Sequence, residues 1–189
     1  MKDSPPEHVV LVDEDDREIG TMEKLEAHKK GLLHRAFSVF LFDAKGRWLL
    51  QQRALSKYHS GGLWTNACCS HPRPGESVLR AAERRLSEEL GASTTRTPPA
   101  LELDHAFSFI YRADLDHGLT EHELDHVLTG RLTGKRSGEL TDFSPHPDEV
   151  AAVRWVAPDD LAAELRSHPE RFTVWFRLAY EKVAHLKAS

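Results

Sequence analysis

Runs of apolar and β-branched residues, each about the length of a strand and bounded by turn signals, recur along this sequence. They predict strands over residues 8–13, 35–43, 47–53, 103–112, 121–132 and 149–156, and extended chain over 63–69. Lys45 and Gly46 lie between two of these runs and predict a turn that joins them as a hairpin. We therefore expect several antiparallel strands.

A second pattern, with apolar residues three or four positions apart, predicts helices. It is clearest over residues 76–90, and Gly91 marks the end of this helix. The apolar stripe consists of Leu79, Ala82, Leu86 and Leu90. Further helices are predicted over 22–30, from Pro158 onward, and over 168–186.

Strands combined with one strong central helix and a helical C-terminal part indicate a single α+β domain. A length of 189 residues is enough for one compact core. We expect this domain to span residues 8–186 and residues 1–7 to form a flexible N-terminal arm.

Composition narrows the possible classes of function. Hydrophobic residues make up 40% and charged residues 29% of the chain, which is typical of a globular protein. The net charge of -5 provides no general attraction to nucleic acid or to an anionic membrane, so a bound anion would need a local cluster of Lys and Arg. No apolar run approaches the roughly 20 residues of a membrane span, and the first residues carry no apolar signal region. We expect a cytoplasmic protein without nucleic-acid partners.

The cysteines, Cys68 and Cys69, are adjacent, a spacing that disfavours a disulfide. Two free thiols fit a reducing compartment. Alternation along an extended chain places Cys69 and His71 on one face and Cys68 on the other. Cys69 is then a candidate reactive thiol beside His71, and Cys68 is a core residue. The alternative is that both thiols are small buried apolar groups and that the histidine is incidental.

The same alternation places Glu121 and Glu123 on one face of a predicted strand. On an inner face, two carboxylates repel each other unless a cation or a shared proton lies between them, whereas on an outer face they are ordinary solvated charges. Glu89 borders the apolar stripe of the central helix, where it needs either a hard cation or an ion pair with Arg85, four residues earlier. Both pairs of alternatives stay open from the residues alone.

Other candidates carry little information when taken singly. His28 and His34 lie six residues apart, so they can share a metal ion only if the chain turns between them. Lys24, Arg53 and Lys57 are candidate anion ligands, the last two at the end of a strand and in the loop after it, where binding groups are often carried.

The order of these candidates along the chain closely resembles that in type 1 isopentenyl-diphosphate delta-isomerase. The similarity covers roughly residues 8–180. Its most specific segments are RALSK at 53–57 and CCSHP at 68–72. The other matching positions are Lys24, His28, His34, the Glu-rich helix, Tyr111, Glu121, Glu123 and Trp175. The resemblance implies a Nudix-like fold, with mixed and antiparallel sheets flanked by helices around one central Glu-bearing helix.

That helix is similar to a Nudix box, in which a Gly and a Glu precede the pattern Arg-Glu-apolar-any-Glu-Glu-any-Gly-apolar. Glu76 takes the place of the first Glu, and residues 84–92 take the place of the pattern. Ser70 replaces the Gly, and Arg85 replaces one Glu. These departures argue against Nudix hydrolase activity and fit the isomerases, whose box is similarly degenerate.

The resemblance also implies roles for individual residues. One divalent ion, Mn²⁺, Mg²⁺ or Zn²⁺, would be bound by a mixed nitrogen and oxygen set, namely His28, His34, His71, Glu121 and Glu123. Glu89 would help to hold a second ion, Mg²⁺, that bridges to the substrate diphosphate. Lys24, Arg53 and Lys57 would neutralise the remaining phosphate charge. Trp175, whose spacing also suits a core residue, would stabilise a carbocation through its ring face.

The implied reaction converts isopentenyl diphosphate to dimethylallyl diphosphate in isoprenoid biosynthesis. Cys69 and Glu123 would lie on opposite faces of the substrate, with Tyr111 assisting Glu123, and the sequence leaves the direction of proton transfer between them open. The first alternative is a Nudix hydrolase of nucleoside diphosphate derivatives, and the second is a catalytically inactive metal-binding domain. Nothing in the sequence demands a protein partner, so we expect a monomer or a weak homodimer.

Overall fold

The computed structural model of the chain describes residues 7–92, 101–132 and 143–188. All strands of the described residues join one mixed sheet. They are β1 (His8–Val12), β2 (Glu18–Glu23), β3 (His34–Phe42), β4 (Trp48–Arg53), β5 (Trp64–Thr65), β6 (Cys68–Ser70), β7 (Leu101–Asp114), β8 (Thr120–Leu132) and β9 (Val150–Val156). Of the predicted N-terminal arm, only Glu7 lies within the described residues.

Helices pack on both faces of this sheet. They are α1 (Lys24–Lys30), α2 (Val78–Leu90), α3 (Pro158–Ser167) and α4 (Val174–Ala188), with 3₁₀ turns at Asp116–Gly118 and Pro169–Arg171. α2 is the predicted central helix, and Gly91 ends it with a left-handed φ of 64°. It begins two residues later than predicted because the Ser77 side chain caps it by accepting a hydrogen bond from the Arg80 N–H.

Strand β3 lies at the centre of the sheet. It runs antiparallel to β1, β4 and β6, and parallel to β8. β8 also pairs along its length with β7, and β4 pairs with β9. The parallel pairing of β3 with β8 sets His34 opposite Glu123. Two candidate metal ligands from distant parts of the sequence therefore meet in the fold.

An apolar layer covers each face of the sheet. One face, which includes Val39 of β3, packs against α2, and the other, which includes Phe40, packs against α4. The rings of Phe40 and Phe176 of α4 stack with their centroids 5.9 Å apart. Cys68 lies in the α2 layer, whereas Cys69 packs against the α4 layer. The predicted α+β architecture, a mixed sheet flanked by helices, is confirmed.

The predicted helix over 22–30 was wrong in its first turn, and the strand before it was missed. Residues 18–23 form β2, which pairs with β1 as far as Glu23. The Glu23 carboxylate then accepts hydrogen bonds from the N–H groups of Leu25 and Glu26, so the helix starts at Lys24.

The predicted C-terminal helix over 168–186 starts later than expected. Residues 169–171 form a 3₁₀ turn, Phe172 is extended, and the helix begins at Val174. The Thr173 hydroxyl donates a hydrogen bond to the Thr65 hydroxyl at 2.9 Å, which ties the segment before α4 to β5. None of the helices in the described residues is long and apolar enough to cross a membrane.

Candidate active site

Three histidines and a glutamate from four separate segments converge beside the sheet. One potential ligand atom of each lies within 4.8 Å of the others, and the four residues are His28, His34, His71 and Glu123. Gly31 ends α1 with a left-handed φ of 59°, and the chain reverses there. The rings of His28 and His34 are consequently 4.8 Å apart between centroids. This is the turn on which their predicted pairing depended.

Backbone carbonyls orient two of these imidazoles. His28 Nδ1 lies 2.7 Å from the Lys24 oxygen, and His34 Nδ1 lies 2.8 Å from the Leu32 oxygen. A carbonyl only accepts, so each Nδ1 carries the proton and each Nε2 offers a lone pair. His28 Nε2 is buried without a hydrogen-bond partner. A hydrogen bond from the other ring nitrogen to a backbone carbonyl is typical of metal-binding histidines.

The remaining distances also fit a shared cation. His34 Nε2 lies 3.2 Å from His71 Nε2, which lies 2.9 Å from Glu123 Oε1. Burial lowers the pKa of His71 to about 3, so its ring is neutral at neutral pH, the form that binds a metal. Three imidazoles and one carboxylate thus form a donor set suited to a divalent ion.

Glu121 lies beside this group rather than within it. Both Glu121 and Glu123 are buried, as the alternation predicted for an inner face. The Tyr111 hydroxyl lies 2.7 Å from Glu123 Oε2 and 3.0 Å from Glu121 Oε2. A hydroxyl has a single proton to donate, so the three oxygens cannot all be satisfied unless a further proton or a cation is present.

In the pair of Glu121 and Glu123, the neighbouring residues favour a negative charge on Glu123. Burial and the negative charge of Glu123 raise the pKa of Glu121 well above its usual value. Burial opposes ionisation of Glu123 too, but the neighbouring imidazoles of His34 and His71 hold its pKa well below the usual value. The pair therefore favours a proton on Glu121 and the negative charge on Glu123.

Cys69 lines the same pocket as Tyr111, Glu121 and Glu123. Burial raises the pKa of its thiol to about 12, so Cys69 is protonated at neutral pH. Cys68 is 0% exposed and belongs to the core beneath α2. The structure thus separates the two thiols as the alternation predicted.

The lysines predicted to bind phosphate both line this pocket and both already hold a carboxylate. Lys24 Nζ lies 3.1 Å from Glu7 Oε2, and Lys57 Nζ lies 2.7 Å from Glu149 Oε2. The cavity between the lining side chains measures about 50 Å³, room for a few water molecules, and it opens toward solvent. A ligand that contacts either lysine has to compete with the carboxylate already paired with it.

Arg53 and Trp175 form one unit of the pocket wall. The guanidinium of Arg53 lies 5.4 Å from the centroid of the Trp175 ring. Its Nη2 donates a hydrogen bond to the backbone oxygen of His59 at 3.2 Å. Trp175 is 2% exposed, so it is both a core residue and a lining residue.

Glu89 pairs with Arg85, which is one of the two alternatives that the sequence left open. Glu89 Oε1 accepts from Arg85 Nη2 at 2.7 Å, and Oε2 accepts from Gln51 Nε2 at 3.0 Å. Glu89 and Arg85 also line the pocket. The predicted contact of Glu89 with a second ion stays a prediction.

Sequence reasoning missed two buried titratable residues, one lining this site and one next to it. His59 is buried, and its Nε2 lies 3.8 Å from Glu121 Oε1. Asp125 is buried two positions beyond Glu123 and accepts a hydrogen bond from the Ser38 hydroxyl at 2.8 Å. Burial and the charge of Glu123 raise the pKa of Asp125 to about 8. Continuing the strand alternation from Glu121 would have found Asp125, and the loop position two residues after Lys57 was the available signal for His59.

The fold and the site define a protein of the Nudix class. The family model for the NUDIX domain matches residues 32–176. A solved structure of DR0079 from Deinococcus radiodurans superposes with a TM-score of 0.65 at 18% identity, covering 86% of this chain and 90% of that one. A MutT protein from Methanosarcina mazei gives a TM-score of 0.61 at 17% identity, covering 83% and 96%. At these identities the likeness shows the fold alone.

Curated relatives identify the family within that class. An isopentenyl-diphosphate Delta-isomerase from Serratia proteamaculans is 50% identical over 170 residues, which cover 90% of this chain and 87% of that protein. Another, from Burkholderia multivorans, is 48% identical over 176 residues, covering 93% and 92%. This chain belongs to the isopentenyl-diphosphate Delta-isomerase family, which confirms the resemblance found in the sequence.

Proposed function

We propose that this protein converts isopentenyl diphosphate to dimethylallyl diphosphate for isoprenoid biosynthesis. One observation carries the proposal: the Cys69 thiol lines the same buried pocket as the Tyr111–Glu123 pair, beside a set of residues that fits a cation. An enzyme that moves a double bond needs two proton-transfer groups in one water-poor pocket.

The chemistry sets the tasks of these groups. An unactivated alkene is a weak base, so a positioned acid must protonate its terminal carbon and create a tertiary carbocation. Loss of a proton from the carbon next to the cation then forms the new double bond, and no net proton is consumed. Cys69 on one face of the substrate and Glu123 on the other would perform the two transfers. Burial raises the pKa of the Cys69 thiol to about 12, and the pKa of Glu123 lies well below its usual value, which favours a protonated thiol and an ionised carboxylate at neutral pH.

Other residues would bind the substrate and protect the cation. Lys24, Arg53 and Lys57 would exchange their present partners for phosphate oxygens. The Trp175 ring would face the carbocation, as it now faces a guanidinium. Binding at the diphosphate contributes free energy remote from the reacting carbons.

The proposal includes two divalent ions. One would be held by His28, His34, His71 and Glu123, with Glu121 as a further ligand, and Mn²⁺, Mg²⁺ or Zn²⁺ suits this donor set. The second, Mg²⁺, would lie near Glu89 and bind the substrate diphosphate. When bound, the first ion supplies positive charge that lowers the basicity of Glu123.

The setting of the enzyme also belongs to the proposal. Both cysteines are free, which supports a cytoplasmic location. We propose a catalytic domain over residues 8–186 that acts on a small diphosphate as a monomer or weak homodimer, with residues 1–7 as a flexible arm.

We expect the purified chain with Mg²⁺ to form allylic product from isopentenyl diphosphate, and chelation to reduce that rate by about 10²-fold or more. Restoring a divalent ion should restore the rate. Nucleoside diphosphate derivatives, assayed in parallel, should release no phosphate or nucleoside monophosphate. Hydrolysis of the nucleotides without allylic product would instead establish a Nudix hydrolase, and metal uptake without either activity would establish an inactive metal-binding domain.

His59 is expected to act as a positioning residue for Glu121. Its imidazole lies between Glu121 and the Trp175 ring, whose centroid is 6.0 Å away. His59→Phe keeps an aromatic ring beside Trp175 but removes the nitrogen facing Glu121. We expect it to lower kcat by about 10- to 100-fold with a smaller change in KM. His59→Gln, which keeps a polar group at that place, should recover part of the loss. Full activity in His59→Phe would show that only ring packing matters.

A further inference from the structure

Two histidines and a serine lie close together away from the candidate active site, on strands β7 and β8. His105 Nε2 lies 2.9 Å from Ser108 Oγ, and Ser108 Oγ lies 3.0 Å from His126 Nδ1. The two imidazole nitrogens are 3.4 Å apart. His126 and Glu123 are three positions apart on one strand, so the group faces away from the active site.

A β-bulge creates this group. His105 and Ser108 are three positions apart, so in a regular strand the two would point to opposite faces. The register of β7 against β8 shifts between His105 and Phe107, which leaves Ala106 as the additional residue. Ser108 therefore lies directly opposite His126, while His105 shares its face.

The carboxylate of Asp16 supports His126. Asp16 Oδ2 lies 3.0 Å from His126 Nε2, the ring nitrogen turned away from His105. Arg35 Nε donates to the other Asp16 oxygen at 2.7 Å and holds the carboxylate in place. Asp16 is thus the charged neighbour of Nε2, and Nδ1 is the ring nitrogen that faces Ser108 and His105.

We propose that His105 Nε2 and His126 Nδ1 bind a divalent transition-metal ion, with the Ser108 hydroxyl and water completing its coordination. In a tetrahedral zinc site with Zn–N bonds of about 2.05 Å, two nitrogen ligands lie about 3.3 Å apart. The observed 3.4 Å meets this requirement without movement of the backbone. His105 is exposed, so an ion can reach the pair from solvent.

The donor set also determines which ions bind. Two imidazoles favour Zn²⁺, Ni²⁺ and Cu²⁺, whereas Mg²⁺ prefers oxygen ligands and retains its water. We therefore expect this second site to bind a transition-metal ion, and excess Mg²⁺ should not compete with that ion for the site.

The test is the number of Zn²⁺ ions bound by the full chain after chelation, titrated by calorimetry in excess Mg²⁺. We expect His105→Ala to bind one Zn²⁺ fewer than the wild type. His168→Ala, which removes another exposed histidine with a carboxylate 3.3 Å away, should match the wild type. Equal Zn²⁺ binding by the wild type and His105→Ala would overturn the proposal. His105→Ala should retain isomerase activity with Mg²⁺, and the count of bound ions does not depend on that activity.

A second variant separates orientation from coordination. Asp16→Asn keeps a residue type that tolerates the left-handed φ of 63° at this turn but removes the charge beside His126. We expect the same number of bound Zn²⁺ ions as in the wild type, with the second site weakened by about 10- to 100-fold. An unchanged affinity would contradict the supporting role of Asp16.

Discussion

Cys69→Ala should lower kcat/KM for isomerisation by about 10³-fold or more while the protein remains folded. The variant removes one of the two proposed proton-transfer groups and leaves a side chain that fits the same space. Because Cys69 is at the edge of the α4 layer rather than in the centre of a core, the effect on packing is small. The measurement is formation of dimethylallyl diphosphate, with circular dichroism as the check on folding.

Cys68→Ala is the matched control, because it removes an identical thiol one residue away. Cys68 is fully buried under α2, so we expect a loss of stability of about 1 kcal/mol and near-normal turnover of the folded fraction. Normal turnover in Cys69→Ala would contradict the mechanism. An equal loss of turnover in both variants would contradict the assignment of the two thiols to different faces.

Apart from Cys69→Ala, Glu123→Gln should be the substitution that lowers isomerase turnover most. Gln has nearly the same shape but carries no charge, so it is a poor ligand and cannot exchange a proton with the substrate, as Glu123 is proposed to do. It also loses a carboxylate oxygen that lies 2.9 Å from His71 Nε2. We expect a loss of turnover of about 10³-fold or more together with weaker metal binding, measured by product assay and by metal titration of the same preparation.

A matched substitution elsewhere in the sheet guards against a general effect of lost charge. Glu102→Gln alters an exposed glutamate of β7, and both activity and metal binding should stay at wild-type levels. If Glu123→Gln kept its turnover, Glu123 would be neither a proton-transfer group nor an essential ligand. If it kept its metal affinity but lost turnover, the role in proton transfer alone would be supported.

Predictions from the sequence succeeded where they depended on neighbouring residues. The alternation of side chains along a strand placed Cys69 with His71 and Glu121 with Glu123, because that period is a local property of the backbone. The spacing of apolar residues along a helix is also a local property, and it located α2, with Gly91 marking its end. Strand β2 was missed because none of its side chains is buried, so it has no apolar face to mark it.

Contacts between distant segments could not be predicted in this way. The meeting of His34 with Glu123 depends on the parallel register of β3 and β8, which is set by the packing of the whole sheet. The group of His105, Ser108 and His126 depends on one additional residue in β7, and no pattern in the sequence marks that bulge. The order of motifs supplied by the family resemblance stood in for this missing long-range information.

The carboxylates that hold the cations of the pocket also affect which ligands can bind. Lys24 is paired with Glu7, Lys57 with Glu149, and Arg85 with Glu89. An anion that binds these cations must therefore displace the carboxylates paired with them. A ligand with little negative charge attracts the cations too weakly to do so. A diphosphate bearing a metal ion can replace several such contacts at once, whereas inorganic phosphate can replace fewer. Discrimination between them then arises from competition with the protein's own anions, in addition to the shape of the cavity.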